Sequence, residues 1–232
     1  MRLSVIVPVY NEVSSVLAVV ERVRNCGVAD LEVLVVDDCS TDGTAEKLKE
    51  LSDKPSVRVI RHSSNMGKGA AIRTAQKLVT GDVVVIQDAD LEYDPAQFPK
   101  MLDVMVRRGE NDKVDAVFGS RYCHTRNGDT FLHWFGNKFF TVLSNLFSGY
   151  RLTDMETCYK MIRSDIFKAM TLECNKFGFE PEIVAKLSKR GCKIAEVPIA
   201  YCPRSYDAGK KIGFLDGMAA VWHILKYNLL DK

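Results

Sequence analysis

The stretch Val83-Val84-Val85-Ile86-Gln87-Asp88-Ala89-Asp90-Leu91-Glu92 (VVVIQDADLE, 83–92) joins an apolar, β-branched run to a burst of carboxylates. Four consecutive apolar residues ahead of a polar turn read as a strand covered on both faces, which points to a parallel sheet between layers of helices. Working outward, runs of the same kind occur at Leu3 to Val7, Glu32 to Val36, Val57 to Ile60 and Asp115 to Phe118, and the quoted run itself extends over Asp82 to Gln87. Segments of helical period separate them at about 12–25, 43–52, 67–79 and 95–108. Strands alternating with helices predict βαβ units and a doubly wound α/β layer. Sheets of this class bind ligands beyond the carboxyl ends of their strands, so the residues just past each strand are the candidates for function.

After residue 119 the pattern changes. A polar loop (Cys123 to Thr130) leads to an aromatic-rich helical stretch (Phe131 to Phe147), a strand near Cys158 to Arg163 and a helix near Glu180 to Arg190. A strand at Lys193 to Ala200, a basic loop and a closing amphipathic helix from about Gly213 to Leu230 complete the chain. No Pro/Gly/Ser-rich linker separates the halves, so the second is read as a subdomain completing one cleft. The 232 residues, 47% hydrophobic and 27% charged, suit one domain with a substantial core and exclude intrinsic disorder as the main state. A net charge of +2 is too balanced for a protein whose affinity rests on neutralising many phosphates, which argues against a nucleic-acid binder. The seven cysteines include no CxxC pair, so they fit neither a disulfide framework nor a zinc site of usual spacing and read as reduced, cytoplasmic thiols. The amino terminus, MRLSVIVPVYNE, carries too short an apolar run for a signal peptide. Nothing approaches the roughly 20 apolar residues of a membrane span, so the chain is expected to touch a bilayer at most.

On extended backbone Asp88, Asp90 and Glu92 project to one side and converge. Three facing carboxylates repel unless a cation sits among them, and oxygen ligands of this kind suit Mg²⁺ or Mn²⁺. The competing reading is a solvated acidic turn ahead of a helix starting at Asp94-Pro95. Asp37-Asp38 ends the strand Val33 to Val36, where an acidic residue accepts hydrogen bonds from a nucleotide base or ribose; Thr41 or Asp42 is placed to cap the next helix. The loop Pro8-Val9-Tyr10-Asn11-Glu12 holds no glycine, which argues against a GxGxxG dinucleotide site. Gly67-Lys68-Gly69 opens a helix without a P-loop frame, leaving Lys68 either to meet a phosphate at the helix start or to sit in a plain opening turn. In the aromatic segment, Leu132, Phe135, Phe139, Val142, Leu143 and Leu146 follow helical spacing and predict a buried stripe, with Trp134 and Phe140 lying away from it.

The motifs VIVPVYNE (5–12), VVDDCSTDGT (35–44), NMGKGAAIR (65–73), DADLEYDP (88–95), GSRY (119–122), TDMETCYKM (153–161) and FGFEPEI (177–183), with the segment Pro203 to Gly217, occur in one order over nearly the whole chain. The set resembles the inverting glycosyltransferases of family 2 with the GT-A fold, and within them the dolichol-phosphate and polyprenyl-phosphate hexose synthases. The resemblance implies a single GT-A domain over 1–232, with residues 1–120 binding a nucleotide sugar and 121–232 an acceptor. It implies that Pro8, Tyr10, Asn11, Glu12 and an aspartate of the Asp37-Asp38 pair surround the nucleotide, and that Asp88 and Asp90 hold its diphosphate through a metal ion. Many polyprenyl-phosphate mannosyltransferases carry Gln where this chain has Glu92, a further metal ligand that adds charge. Trp134, Phe140 and the closing helix, with Phe214, Leu215, Met218, Val221, Trp222, Leu225 and Leu229, are then placed to face core, polyprenyl chain or membrane interface.

Transfer from a nucleoside diphosphate develops positive charge on the sugar and negative charge on the leaving diphosphate, so fixed cations are needed. The segment Pro203 to Lys211 offers Arg204, Lys210 and Lys211 beside Ser205, and by the same resemblance closes over diphosphate or acceptor phosphate. Arg121 is a phosphate ligand on the same ground. A lipid monophosphate is already anionic near neutral pH, whereas a hydroxyl acceptor needs a general base. Asp154 stands at the position of that base in hydroxyl-using relatives; the competing reading is a helix cap. The catalytic set is therefore Asp90, Asp154 and Arg121. The expected reaction is metal-dependent, inverting transfer of a hexose from a GDP-mannose- or UDP-glucose-type donor to a polyprenyl phosphate, with a hydroxyl acceptor on a glycolipid or saccharide as the alternative. The expected enzyme is cytoplasmic, or peripheral at the cytoplasmic membrane face beside a membrane partner. A sugar nucleotidyltransferase would need a glycine-rich basic loop where Pro8 to Glu12 stands, and a non-catalytic subunit would tolerate loss of Asp90.

Overall fold

The computed structural model describes residues 1–107, 113–123, 131–176, 178–203 and 214–231. Strands β1 (Leu3–Val9), β2 (Leu31–Asp37), β3 (Val57–Arg61), β4 (Val83–Ile86), β5 (Ala116–Ser120), β6 (Lys160–Arg163) and β7 (Ile194–Pro198) form one sheet in the order β3-β2-β1-β4-β6-β5-β7. β6 runs antiparallel to β4 and β5, and every other pairing is parallel. The helices are α1 (Val16–Arg24), α2 (Thr44–Leu48), α3 (Lys68–Gln76), α4 (Phe98–Arg107), α5 (Phe131–Ser148), α6 (Ser164–Ala169), α7 (Phe179–Lys189) and α8 (Phe214–Leu225).

Valine-rich β1, β2 and β4 are buried almost throughout, as strands covered on both faces must be. The strands expected in the first 120 residues are all present, their ends shifted by at most two residues, whereas α6 was not anticipated. The chain winds outward from β1 through β2 to β3 and then returns to place β4 on the other flank of β1. That reversal opens a crevice at the carboxyl ends of β1 and β4. Because β6 is antiparallel, the residues just before it, 153–159, are carried to the same end of the sheet.

Helix α5 reverses the expectation drawn from its periodicity. Phe135, Phe139, Val142 and Leu146, read as a core stripe, are exposed, with Leu146 at 74%. Asn137, Thr141, Ser144 and Ser148 face inward instead, and Phe140 packs partly buried against the core. Periodicity marks a stripe but not the side that meets the core, and here the polar side has the better partners. Thr141 Oγ1 accepts from Met155 N at 3.0 Å, and Lys138 Nζ donates to Thr153 O at 2.9 Å. Helix α8 packs beside α5 and also turns Met218 and Trp222 to the surface, while Ile224 is fully buried.

Two glycines test this arrangement from opposite sides. A Cβ on Gly69 would lie 2.1 Å from the Cys174 carbonyl oxygen, whereas one on Gly136 of α5 would meet nothing within 4 Å. Gly69→Ala is expected to destabilise the fold by about 1–3 kcal/mol and Gly136→Ala to stabilise it by about 0.5–1 kcal/mol, read as opposite shifts of the urea midpoint.

Candidate active site

The crevice begins where the central ladder runs out. Ile6 O accepts from Gln87 N at 2.9 Å, and the register of β1 with β4 ends at Ile6↔Ile86. Two residues later, Pro8 would direct an N–H toward the same flank, where no strand remains; a residue without an N–H belongs at such a point. The next loop is tied to the loop after β2. Asn11, at φ 55°, donates from its backbone to Ser40 Oγ at 2.9 Å and accepts from Thr41 N through Oδ1 at 2.8 Å. Glu12 N donates to Thr44 Oγ1 at 2.9 Å, and Tyr10 stands at the exposed mouth.

The two aspartates after β2 divide the work. Asp38 binds Met66 N at 2.9 Å and Gly67 N at 2.7 Å, with His62 Nδ1 2.7 Å away. Those contacts tie the start of α3 to the sheet. Asp37 accepts from Ser40 N at 3.0 Å and sits 3.2 Å from Arg61 Nε. Asp42 Oδ1 accepts from Thr44 N at 3.0 Å, a local turn contact, whereas the N-cap of α2 is Gly43, in the left-handed region at φ 96° and without a side-chain cap, so neither Thr41 nor Asp42 caps the helix as expected.

After β4 the backbone turns instead of continuing extended, and Leu91 adopts φ 64°. The three carboxylates therefore separate, and among the described residues no group of three His, Cys, Asp or Glu side chains is arranged to hold a metal. Glu92 accepts from Tyr201 OH at 2.7 Å, an interaction that directs it toward the residues after β7. Asp90 Oδ1 accepts from Glu92 N at 3.1 Å. Asp88 Oδ1 lies 2.8 Å from Lys68 Nζ, which also reaches Glu180 Oε1 at 2.9 Å. Burial alone would lower the Lys68 pKa, but Asp88 and Glu180 outweigh it and hold the ammonium well above its ordinary range. Asp88 and Asp90 remain a pair of hard oxygen donors, a set that suits Mg²⁺ or Mn²⁺ when substrate phosphates complete the shell.

Across the crevice Arg121 is buried just beyond β5. It donates Nε to Asp154 Oδ2 at 2.7 Å, Nη2 to Oδ1 at 2.8 Å and its backbone N–H to Oδ2 at 3.0 Å. Its guanidinium lies 5.1 Å from the ring centroids of both Tyr122 and Tyr201. Desolvation works against its charge, and Asp154 more than restores it. Asp154 is fully buried with both oxygens on Arg121, and no helix starts there. It thus orients a cation, and the helix cap weighed for it from sequence is not realised. Glu196 in turn accepts from Thr153 N at 2.8 Å and Asp154 N at 3.2 Å, fixing the turn.

Glu180, Glu156 and Glu196 were missed among the site residues. Glu180 lies inside the motif FGFEPEI, in the first turn of α7, yet nothing in its spacing shows that Lys68 would reach it. Glu156 is half-buried, with Oε1 sealed and without a hydrogen-bond partner among the described residues; burial, then Glu180, pushes its pKa up to about 7. Lys160 nearby is fully buried and gives its ammonium to the carbonyls of Met155 and Thr157. Arg204, Ser205, Lys210 and Lys211 lie outside the described residues.

The family model described as Glycosyl transferase family 2 matches residues 4–171. The chain is 31% identical over 244 residues to the undecaprenyl-phosphate mannosyltransferase of Micrococcus luteus, covering 100% of this chain and 96% of that protein. It is 28% identical to the dolichol-phosphate mannosyltransferase of Pyrococcus furiosus over 98% of this chain, while spanning 65% of that protein's length. Among solved structures, glucosyl-3-phosphoglycerate synthase from Mycobacterium tuberculosis in complex with UDP matches with a TM-score of 0.74 at 17% identity, covering 97% of this chain and 79% of that one. A structure of that synthase with Mn²⁺, UDP and glucosyl-3-phosphoglycerate matches with a TM-score of 0.69 at 19% identity, covering 98% of this chain and 80% of that one. At such identity the likeness is one of fold, and the fold is GT-A.

Removing Asp154 tests its role as the partner of Arg121. Asp154→Ala leaves Arg121 buried without its partner and is expected to cost about 3–5 kcal/mol in chemical denaturation. An unchanged unfolding midpoint would overturn that role.

Proposed function

The chain belongs to glycosyl transferase family 2, and on that premise we propose that it transfers a hexose from a nucleoside-diphosphate sugar to a polyprenyl phosphate, with inversion at the anomeric carbon. The observation that carries this reading is the pair of cations, Lys68 and Arg121, each held by carboxylates at the carboxyl end of the sheet. A departing diphosphate gains negative charge, and cations fixed before substrate arrives stabilise it without reorganisation. Pro8, Tyr10, Asn11, Glu12 and Asp37 would line the nucleotide. Arg204, Ser205, Lys210 and Lys211 belong to the phosphate-binding set on the ground of sequence alone. Asp88 and Asp90 would hold a divalent ion, Mg²⁺ or Mn²⁺, whose chemistry when bound is that of a Lewis acid on the diphosphate.

The acceptor is inferred from what the acids are doing. Asp154 is committed to Arg121 and Glu180 to Lys68, so neither supports the deprotonation that a hydroxyl acceptor requires. A phosphate monoester, with a second pKa of about 6, arrives already ionised and needs only positioning. The two mannosyltransferases to which the chain is similar carry polyprenyl-phosphate acceptors in their names, which supports the same choice. Among the described residues no helix is long and apolar enough to cross a membrane. The exposed apolar faces of α5 and α8, with Phe135, Phe139, Leu146, Met218 and Trp222, suit contact with the lipid surface in which such an acceptor resides.

Incubation with GDP-mannose or UDP-glucose, a short polyprenyl phosphate and Mg²⁺ or Mn²⁺ is expected to yield hexosyl-phosphoryl lipid by mass spectrometry. EDTA should abolish the product, and Asp90→Asn should cut turnover by roughly 100-fold or more. Product from hydroxyl acceptors with none from polyprenyl phosphate would sink the acceptor assignment. On anionic vesicles carrying a long-chain acceptor, Phe139→Glu with Leu146→Glu is expected to reduce turnover by roughly tenfold or more while sparing a short-chain acceptor in solution. Equal losses with both acceptors would remove the lipid-surface role of α5.

A further inference from the structure

We propose that Glu156 reads the hydroxyl groups of the transferred hexose and so determines donor specificity. The proposal deepens the hexose-transfer reading and rests on it. Its ground is the contrast between Glu156 and the acids around it; Asp37 Oδ2, the other buried carboxylate oxygen of the crevice without a hydrogen bond among the described residues, has Arg61 Nε 3.2 Å away. Asp154 gives both oxygens to Arg121, Asp88 and Glu180 share Lys68, and Glu196 takes the amides of Thr153 and Asp154. Glu182 is closed in the same way by Glu173 N at 2.6 Å, Cys174 N at 2.9 Å and Lys186 at 3.0 Å. Glu156 Oε1 has no such partner among the described residues and is sealed from solvent without a hydrogen bond. A buried acceptor left open in this way is costly unless a ligand supplies the donor.

Position makes that ligand the hexose. Glu156 lies in the turn ahead of β6, at the same end of the sheet as the carboxyl ends of β1 and β4. The charges that bear on it are Glu180, Lys160, Arg121 and Asp154, which include the partner of Lys68 on one side and the Arg121–Asp154 pair on the other. It is therefore within electrostatic reach of Glu180 and Asp154, the acids that hold the two cations the proposed reaction assigns to phosphate, and the sugar between diphosphate and acceptor is the group proposed to meet it.

Chemistry narrows the choice further. An anionic group would meet repulsion from Glu180 and Asp154, and a cation would meet Lys160 and Arg121. A neutral hydroxyl meets neither obstacle, donates a directional hydrogen bond, and is tolerated whether Glu156 is protonated or ionised. Burial with Glu180 beside it raises the Glu156 pKa to about 7, so both forms are present near neutral pH. Because epimeric hexoses differ in where a hydroxyl points, a carboxyl fixed in this turn distinguishes them.

The test compares sugar nucleotides with their own diphosphates. GDP-mannose, GDP, UDP-glucose and UDP are titrated calorimetrically into the wild-type chain, Glu156→Ala and Glu156→Gln in the presence of Mn²⁺. The wild type is expected to bind one sugar nucleotide more tightly than its diphosphate. Glu156→Ala should lose about tenfold or more for that sugar nucleotide while holding the diphosphate within about twofold, and Glu156→Gln, which keeps one carbonyl acceptor, should recover part of the loss. Equal weakening of sugar nucleotide and diphosphate, or no weakening of either, overturns the proposal. If Glu156→Ala binds no diphosphate, Glu156→Gln decides: unchanged preference for the sugar nucleotide refutes the role. Hexose transfer by the wild type with unaltered kcat/KM in both variants overturns this inference alone, whereas a wild type that neither binds these donors nor transfers from them removes the underlying reading as well.

Discussion

A guanidinium buried beyond β5 needs a carboxylate in contact with it, and the requirement of Arg121 for Asp154 organises the acceptor side of the crevice. Three hydrogen bonds from Arg121 fix both oxygens of Asp154. The turn carrying Asp154 is fixed in turn by Glu196 on β7 and by Thr141 and Lys138 on α5. Three elements far apart in sequence thus converge on one ion pair. Breaking such a pair leaves an unsolvated charge, which costs more than any single apolar contact around it. The direction of β6 obeys the same logic, since only an antiparallel strand entering from that turn brings residues 153–159 to the carboxyl ends of the parallel strands.

The donor side has a matching device. Lys68, the first residue of α3, bridges Asp88 after β4 and Glu180 at the start of α7. Asp38 holds the loop before it through Met66 N and Gly67 N. A cation with its position fixed by two carboxylates before substrate arrives needs no reorganisation when charge develops nearby, which is the form of electrostatic stabilisation that contributes most in polar group transfer. Lys68 and Arg121 are thus each held in place by carboxylates at the carboxyl end of the sheet.

The parallel layer was legible because each strand combines β-branched residues with burial on both faces, a pattern that survives without knowledge of partners. The loops beyond the strand ends were legible only in part. Asp88 and Asp90 were found as a motif, but the alternation that placed Glu92 beside them assumed extended backbone, and Leu91 in the left-handed region ends that alternation. Asp38 was picked out because it stands at a strand end, and only the fold shows that the amides at the head of α3 are among its neighbours. Glu180 and Lys68 are 112 residues apart, and no local pattern announces their contact.

Helix α5 shows most clearly why sequence periodicity was insufficient. Its apolar stripe predicted the core, yet the polar face won the interior because Asn137, Lys138 and Thr141 have specific tasks there: bonding to Tyr122 and to the turn at 153–155. Buried polar groups are ordinarily hydrogen-bonded, and these three contacts hold the helix with this face inward even though Ser144 Oγ on the same face has no partner among the described residues. The consequence is a single element with two opposed surfaces, one bonded to the groups that hold Arg121 and the other presenting phenylalanine and leucine outward. In a helix so pinned, whatever meets the outer face is placed a helix diameter, about 10 Å, from the cationic bank of the crevice. That spacing suits the proposed acceptor, which joins a charged head to an apolar chain.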